Sequence, residues 1–213
     1  MGAIRAPKFS VIMPAHNAEG FIRKALDSIR SQHFTDYELI VVCDACEDNT
    51  ARVAREYDAR VFTTNGHCEG PPRNKGLDMA IGEWVLFMDD DDWWLHEYVL
   101  DVLDDVVGNL NEDMLFFSFI WKHIGYIRQT PERNFVAVWN KCWRRSFIGD
   151  TRFGTEPYGA DEGFHKRCMA KKPSAVFLDN PLYYYNYFRE GCLSQIKYGI
   201  MPFVEIPGGQ ARA

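Results

Sequence analysis

Short, continuously apolar runs alternate with stretches of helical periodicity over the first 110 residues. Lys8 to Met13 is an apolar run closed by Pro14, and Tyr37 to Cys43 is a second, rich in β-branched residues. Arg60 to Thr63 and Glu83 to Met88 are two more, and all four have the length of buried strands. Between them Phe21, Ile22, Ala25, Leu26 and Ile29 recur at helical spacing, with Asn17 placed to cap that helix. Thr50 to Tyr57 is expected to be helical, as is a segment opened by Gly70-Pro71-Pro72 and ended near Gly82. Leu95, Val99, Val102, Leu103, Val106 and Val107 make the apolar face of another helix. This alternation predicts an α/β chain, a mostly parallel Rossmann-like sheet flanked by helices.

The pattern changes after Asn111. Met114 to Trp121 reads as a strand, with Ile124 to Ile127 pairing beside it or nearby. Trp139 to Phe147 and Asp161 to Ala170 read as short helices, and Ala175 to Leu178 and Tyr183 to Phe188 as extended chain. The expected organisation is a single domain over 1–200, with a nucleotide-binding half over 8–110 and a smaller acceptor-side half over 111–200. Residues 201–213 are expected to be a loosely ordered tail.

Parallel α/β sheets bind ligands beyond the carboxyl ends of their strands. His16-Asn17, Asp44 and the run Asp89-Asp90-Asp91-Asp92 each follow a strand, which places them on one rim. Four adjacent carboxylates repel one another and need a counter-charge unless they are fully solvated. A divalent cation supplies it, and hard oxygen ligands suit Mn2+ or Mg2+, often shared with substrate phosphates. The competing reading is a solvated acidic turn at the start of the next helix.

Composition narrows the alternatives. The 213 residues are 46% hydrophobic and 25% charged, ordinary values for a soluble globular protein, and long enough for a substantial core. A net charge of −6 with no long basic run argues against a nucleic-acid partner. No stretch has the roughly 20 apolar residues of a membrane span, and the first residues lack a signal-peptide core, so a cytoplasmic location is expected. Peripheral membrane contact is left open. The six cysteines are scattered and fit a reducing compartment; Cys43-x-x-Cys46 without a second ligand pair reads as loop-lining thiols, not a metal motif.

Several segments in order resemble family 2 glycosyltransferases of the bacterial polysaccharide-building type. Ser10-Val11-Ile12-Met13-Pro14-Ala15-His16-Asn17 is similar to the family's opening S-V-I-I-P-x-Y-N. Val41 to Thr50 resembles V-V-D-D-G-S-T-D-N-T, Arg73-Asn74-Lys75-Gly76 resembles R-N-x-G, and Phe87 to Trp93 resembles F-L-D-x-D-D-W. Trp139-Asn140-Lys141, Arg152-Phe153 and Asp161 resemble W-x-K, R-F and E-D. The resemblance runs from about Lys8 to Ser194. It implies a GT-A fold and inverting transfer from a nucleotide-diphosphate sugar, of the UDP type by analogy with the family, to a glycan or lipid-linked acceptor. By position Ala15 and Asn17 would border the nucleoside, Asp44 the base, and Arg73 the base or diphosphate. Asp89, with Asp90 beside it, would lie on the ribose side. Asp91 would bind the metal, and Asp161 would be the catalytic base, with Glu162 its nearest competitor.

The chemistry asks for this division. An alcohol is a poor nucleophile, so a carboxylate must take its proton during attack, while charge developing on the leaving diphosphate needs a cation. Departures from the family pattern are Cys43, Ala45-Cys46, Ala160 before the base, Asn186 at an arginine position and Phe188 at a histidine position, with Arg189 a substitute positive charge. Trp93 or Trp94 is a candidate sugar-stacking ring. Arg144-Arg145 and Lys171-Lys172 read as solvated. The few residues after Ser194 predict that a partner subunit or self-association completes the acceptor side. A nucleotidyltransferase is disfavoured because the first loop is neither glycine-rich nor basic. A sugar-nucleotide binding module without transfer activity is the remaining alternative.

Overall fold

A central sheet carries the chain, and its two halves are built differently. The computed structural model describes residues 5–156 and 159–187. The elements in order are β1 (Phe9–Ala15), α1 (Ile22–Arg30), β2 (Tyr37–Asp44), α2 (Thr50–Arg55), β3 (Arg60–Thr64), α3 (Gly70–Met79), β4 (Trp84–Phe87), β5 (Trp93–Trp94), α4 (Val99–Val107), β6 (Met114–Trp121), β7 (Gly125–Ile127), β8 (Lys141–Arg144), α5 (Arg145–Ile148), α6 (Ala160–Met169) and β9 (Ala175–Tyr185). The strand order is β3-β2-β1-β4-β8-β6-β9-β5, with β7 beside β6.

The first half follows the predicted alternation. β3, β2, β1 and β4 are mutually parallel, with Ala15 level with Cys43 and Ile12 level with Phe87. β1, β2 and β4 are largely buried on both faces, as their apolar runs require, while β3 at the sheet edge is half-exposed. α1 presents Ile22, Ala25, Leu26 and Ile29 to the sheet. The rim at the carboxyl ends therefore gathers His16, Asp44 and Asp89, as expected from the rule for parallel sheets.

The second half is mixed. β8 runs antiparallel to both β4 and β6, β6 and β9 are parallel, and β9 returns antiparallel to β5. The helix expected over Trp139 to Phe147 is therefore mostly a strand. Trp143 pairs with both Val85 and Met114, so contacts distant in sequence outweigh a helical pattern, and only Arg145–Ile148 is helical. The two extended segments expected near the end are one strand, β9, with register shifts beside Phe117 to Phe119. Phe188, Arg189 and the tail 201–213 lie outside the described residues.

Smaller differences have local causes. Pro14 does not end β1, because its fixed φ suits extended chain, and it pairs with Val42. Asn17 does not cap α1, which starts five residues later behind Phe21. Of the two basic pairs expected to be solvated, Arg145, Lys171 and Lys172 are exposed, and Arg144 is half-buried. Arg144 lies 4.4 Å from the Trp84 ring centroid and donates to the carbonyls of Leu110 and Glu112, while Arg145 donates to the Gly82 carbonyl. Lys171 donates to the carbonyls of Phe147 and Ile148.

Gly82, two residues before β4, is a tight point in this arrangement. A Cβ there would lie 2.6 Å from the Ser10 amide nitrogen and 2.7 Å from the Phe9 carbonyl carbon, both backbone atoms that cannot rotate away. Gly82→Ala is expected to destabilise the fold by about 1–3 kcal/mol, the usual range for overpacking. Thermal unfolding checks this, and an unchanged midpoint would show that β1 and β4 are not held this closely.

Candidate active site

Two short loops form the floor of the rim, and their own polar groups tie them together. After β1, the His16 amide donates to Asp90 Oδ2 at 3.2 Å, and its ring Nδ1 lies 2.6 Å from the Asp44 carbonyl oxygen. A carbonyl only accepts, so Nδ1 carries the proton. Asn17 adopts φ +46°, and its Oδ1 accepts the Glu47 amide at 2.8 Å. Asp48 accepts from the Thr50 amide and hydroxyl and from the Glu19 amide, and Thr50 Oγ1 accepts the Ala18 amide. Ala15 is buried and presents backbone. Asp44, also buried, accepts the Thr64 hydroxyl and the Gly66 amide through Oδ1, both at 2.7 Å, which fixes the loop after β3.

The four aspartates divide into different environments. Asp89 Oδ1 accepts from Arg73 Nη2 at 2.8 Å. Asp90 takes the His16 amide. Asp92 is 1% exposed; its Oδ2 accepts the Tyr183 hydroxyl and its Oδ1 the Asn186 amide, each at 2.7 Å. The Tyr183 oxygen in turn accepts the Asp89 amide at 3.1 Å, so one phenol joins the first and last aspartates. Asn186 also donates from Nδ2 to the Asp91 carbonyl. The Asp91 side chain is partly exposed. Burial, reinforced by the charges of Asp89 and Asp91, pushes the Asp92 carboxyl well above the usual range.

The opposite wall is hung on α3. Arg73 is 6% exposed, donates to the Glu69 carbonyl, and places Nε 3.6 Å from Asp161 Oδ1 while Nη2 holds Asp89. One guanidinium thus lies between the aspartate run and the candidate base. Burial pushes Asp89 up to about 7 despite the pull of Arg73, and the charges of Asp161 and Asp91 push the same way. Asn74, the next residue, is strapped to Phe153 in both directions: Nδ2 donates to its carbonyl and Oδ1 accepts its amide. Arg152 donates to Asp78 on the same helix through Nε and Nη2. Phe153 stacks on Phe164 of α6 at 4.1 Å and 6°, which fixes the turn carrying Asp161.

Asp161 Oδ2 accepts the Val138 amide at 3.1 Å. Glu162, its sequence competitor, is exposed and pairs with Lys166 at 2.6 Å, one turn along the helix surface. Lys141 and His165 lie behind Asp161. Burial lowers the Lys141 ammonium well below its usual range, although the charge of Asp161 opposes this. Burial and then Lys141 hold His165 down at about 4.

The candidate residues converge, with exceptions. Ala15, Asn17, Asp44, Arg73, Asp89, Asp90, Asp91 and Asp161 all sit on the loops or walls just described. The Trp93 ring is covered on both sides, by Lys24 Nζ at 3.0 Å and by stacked Tyr184 at 4.2 Å, so it is a packing residue; Trp94 is buried. Cys43 and Cys46 are free thiols, the latter donating to the Ala15 carbonyl. Among the described residues no three His, Cys, Asp or Glu side chains form a preassembled metal cluster. Tyr183 and the Val138 amide were not singled out from sequence, and Asn186 was noted only as standing at an arginine position. Their partners are far away in the chain, and only the density of tyrosines near 183 was a signal.

Residues 10–155 match the protein family described as Glycosyl transferase family 2. Glycosyltransferase GlyA of Streptococcus pneumoniae is 26% identical, over 89% of this chain and 32% of its own length. The GalNAc(5)-diNAcBac-PP-undecaprenol beta-1,3-glucosyltransferase of Campylobacter jejuni is 29% identical, over 86% of this chain and 66% of its own. This chain thus spans from a third to just under two thirds of those relatives. Residues 1–349 of TarS from S. aureus, solved in complex with UDP-GlcNAc, superpose with a TM-score of 0.78 at 25% identity, covering 87% of this chain and 60% of that one.

Tyr183→Phe removes the hydroxyl that serves both Asp92 and the Asp89 amide and leaves a buried carboxylate oxygen short of a donor. A loss of about 1–3 kcal/mol is expected. Urea unfolding measures it, and wild-type stability in the variant would contradict the assigned network.

Proposed function

The chain belongs to glycosyl transferase family 2, and we propose that it transfers a sugar, with inversion, from a UDP-sugar to a hydroxyl of a glycan or lipid-linked acceptor. The observation that carries this reading is the buried Arg73, set between the aspartate run at the carboxyl end of β4 and Asp161 at the start of α6. It puts a phosphate-side carboxylate cluster and a lone carboxylate on facing walls, as direct displacement by an alcohol demands. The relative solved with UDP-GlcNAc and the relative named as a glucosyltransferase for a PP-undecaprenol glycan support the donor and acceptor classes.

In this mechanism the nucleoside lies across Ala15, Asn17 and Asp44, with Asp89 and Asp90 toward the ribose. Asp161 accepts the proton of the attacking hydroxyl, and the Val138 amide and Arg73 hold its two oxygens in place. Microscopic orientation matters here, because a displaced base forfeits much of the advantage of a preset geometry.

The residues fit a divalent metal shared with the donor. Burial pushes Asp89 up to about 7 against the pull of Arg73, and the charges of Asp161 and Asp91 add to it, so a further cation would be stabilised beside this run. Asp91, partly exposed beside it, would hold the ion through its carboxylate. Such an ion, Mn2+ or Mg2+, would stabilise the charge of the departing diphosphate. No described helix is long and apolar enough to cross a membrane. A second copy or a partner subunit on the acceptor side, and contact with a membrane surface that carries a lipid-linked acceptor of the kind named for the Campylobacter jejuni relative, belong to the same proposal.

Calorimetry with UDP, with and without Mn2+, tests the donor site. Wild type is expected to bind UDP more tightly with Mn2+, and Asp91→Ala to lose that dependence. Asp161→Asn is expected to bind UDP as wild type does, yet to release UDP from UDP-glucose or UDP-GlcNAc about 10²–10⁴-fold more slowly, the usual contribution of a general base. Wild-type binding without any turnover would favour a binding module. Unchanged turnover in Asp161→Asn would remove it as the base.

A further inference from the structure

Lys141 is fully buried, which is costly for an ammonium, and it touches neither the rim nor the aspartate run. Its Nζ donates to the carbonyls of Phe135 and Ala137 and to Asn140 Oδ1. The three partners are all acceptors, so a nitrogen with three protons satisfies them and a neutral amine, with two, does not. Burial opposes the charge, but the cage requires it. The Phe116 and Trp143 rings lie 4.8 Å and 6.0 Å from Nζ and add favourable faces for a cation.

The Ala137 carbonyl and the Val138 amide belong to one peptide unit. That unit is planar and trans, so its oxygen and hydrogen point in opposite directions. Lys141 grips the oxygen, and the hydrogen is donated to Asp161 Oδ2 at 3.1 Å. Trp143 Nε1 holds the Val138 carbonyl at 3.2 Å, so Val138 is fixed on both sides. A cation on the oxygen also polarises the N–H toward its acceptor. The 128–140 segment between β7 and β8 has no ladder of its own to orient that peptide.

We propose that Lys141 is the positioning residue for the base: it sets the peptide plane whose amide holds Asp161 in register with the acceptor hydroxyl. This rests on the assignment of Asp161 as base. The role differs from scaffolding in what it affects. It acts on the proton-transfer wall and leaves the nucleotide loops, which hang on β1, β2 and β4, untouched.

The test compares wild type with Lys141→Met, a neutral chain of similar length. The UDP dissociation constant in Mn2+ is expected to stay within twofold. UDP release from UDP-glucose or UDP-GlcNAc is expected to slow at least tenfold, and amide exchange over residues 135–140 to accelerate. Should Lys141→Met not fold, Asn140→Ala removes one of the three acceptors and is expected to slow release at least threefold at unchanged UDP affinity. Release at the wild-type rate would overturn the inference, and so would parallel losses of UDP affinity and release, which mark a general structural role. A wild type that binds UDP but shows slow release unaffected by Asp161→Asn would instead overturn the base assignment. In that case the exchange data alone still decide whether Lys141 orders the loop.

Discussion

A single buried guanidinium organises this protein. Arg73 reaches Asp89 with one nitrogen and Asp161 with another, and its helix is strapped through Asn74 and Asp78 to the segment that leads into α6. Burying such a charge is favourable only when its partners are well placed, and removing one partner from a buried pair costs about 3–5 kcal/mol. This pair of contacts ties the two walls together. The parallel half of the sheet provides the rim, and the mixed half, through β8 and α6, brings the second wall to it.

The aspartate run shows how four adjacent carboxylates coexist. They do not share one environment. Asp92 is buried and serves as an acceptor for the chain of β9, Asp90 receives a backbone amide, and Asp89 faces the guanidinium. Asp91 is partly exposed, and its backbone carbonyl accepts from Asn186. The Tyr183 hydroxyl, shared between Asp92 and the Asp89 amide, carries the constraint from one end of the run to the other.

Much of this was legible in the sequence, and the exceptions share a cause. Apolar runs and helical spacing were enough to place β1 to β4, because β1, β2 and β4 are largely buried on both faces and β3 is a short edge strand beside β2. The shared rim followed from the rule for parallel sheets. Phe164 stacks on Phe153 and anchors the turn that carries Asp161, while Glu162 stands exposed on the outer face of the same helix. β8 was read as a helix because its four residues are defined by partners in β4 and β6, not by local pattern. Tyr183 and Asn186 were missed as ligands of Asp92 for the same reason, their bonds spanning more than 90 residues. Asn17 was misplaced as a cap because its left-handed backbone turns the side chain back toward Glu47.

The central claim is that the aspartate run and Asp161 form opposite walls of one donor site joined by Arg73. A crystal structure of the protein with UDP and Mn2+ tests it most directly. The account predicts the uracil beside Asp44, the diphosphate and metal at Asp91, and Arg73 still paired with Asp161 across from them. UDP bound away from β1, β2 and β4, or a metal held without Asp91, would contradict it.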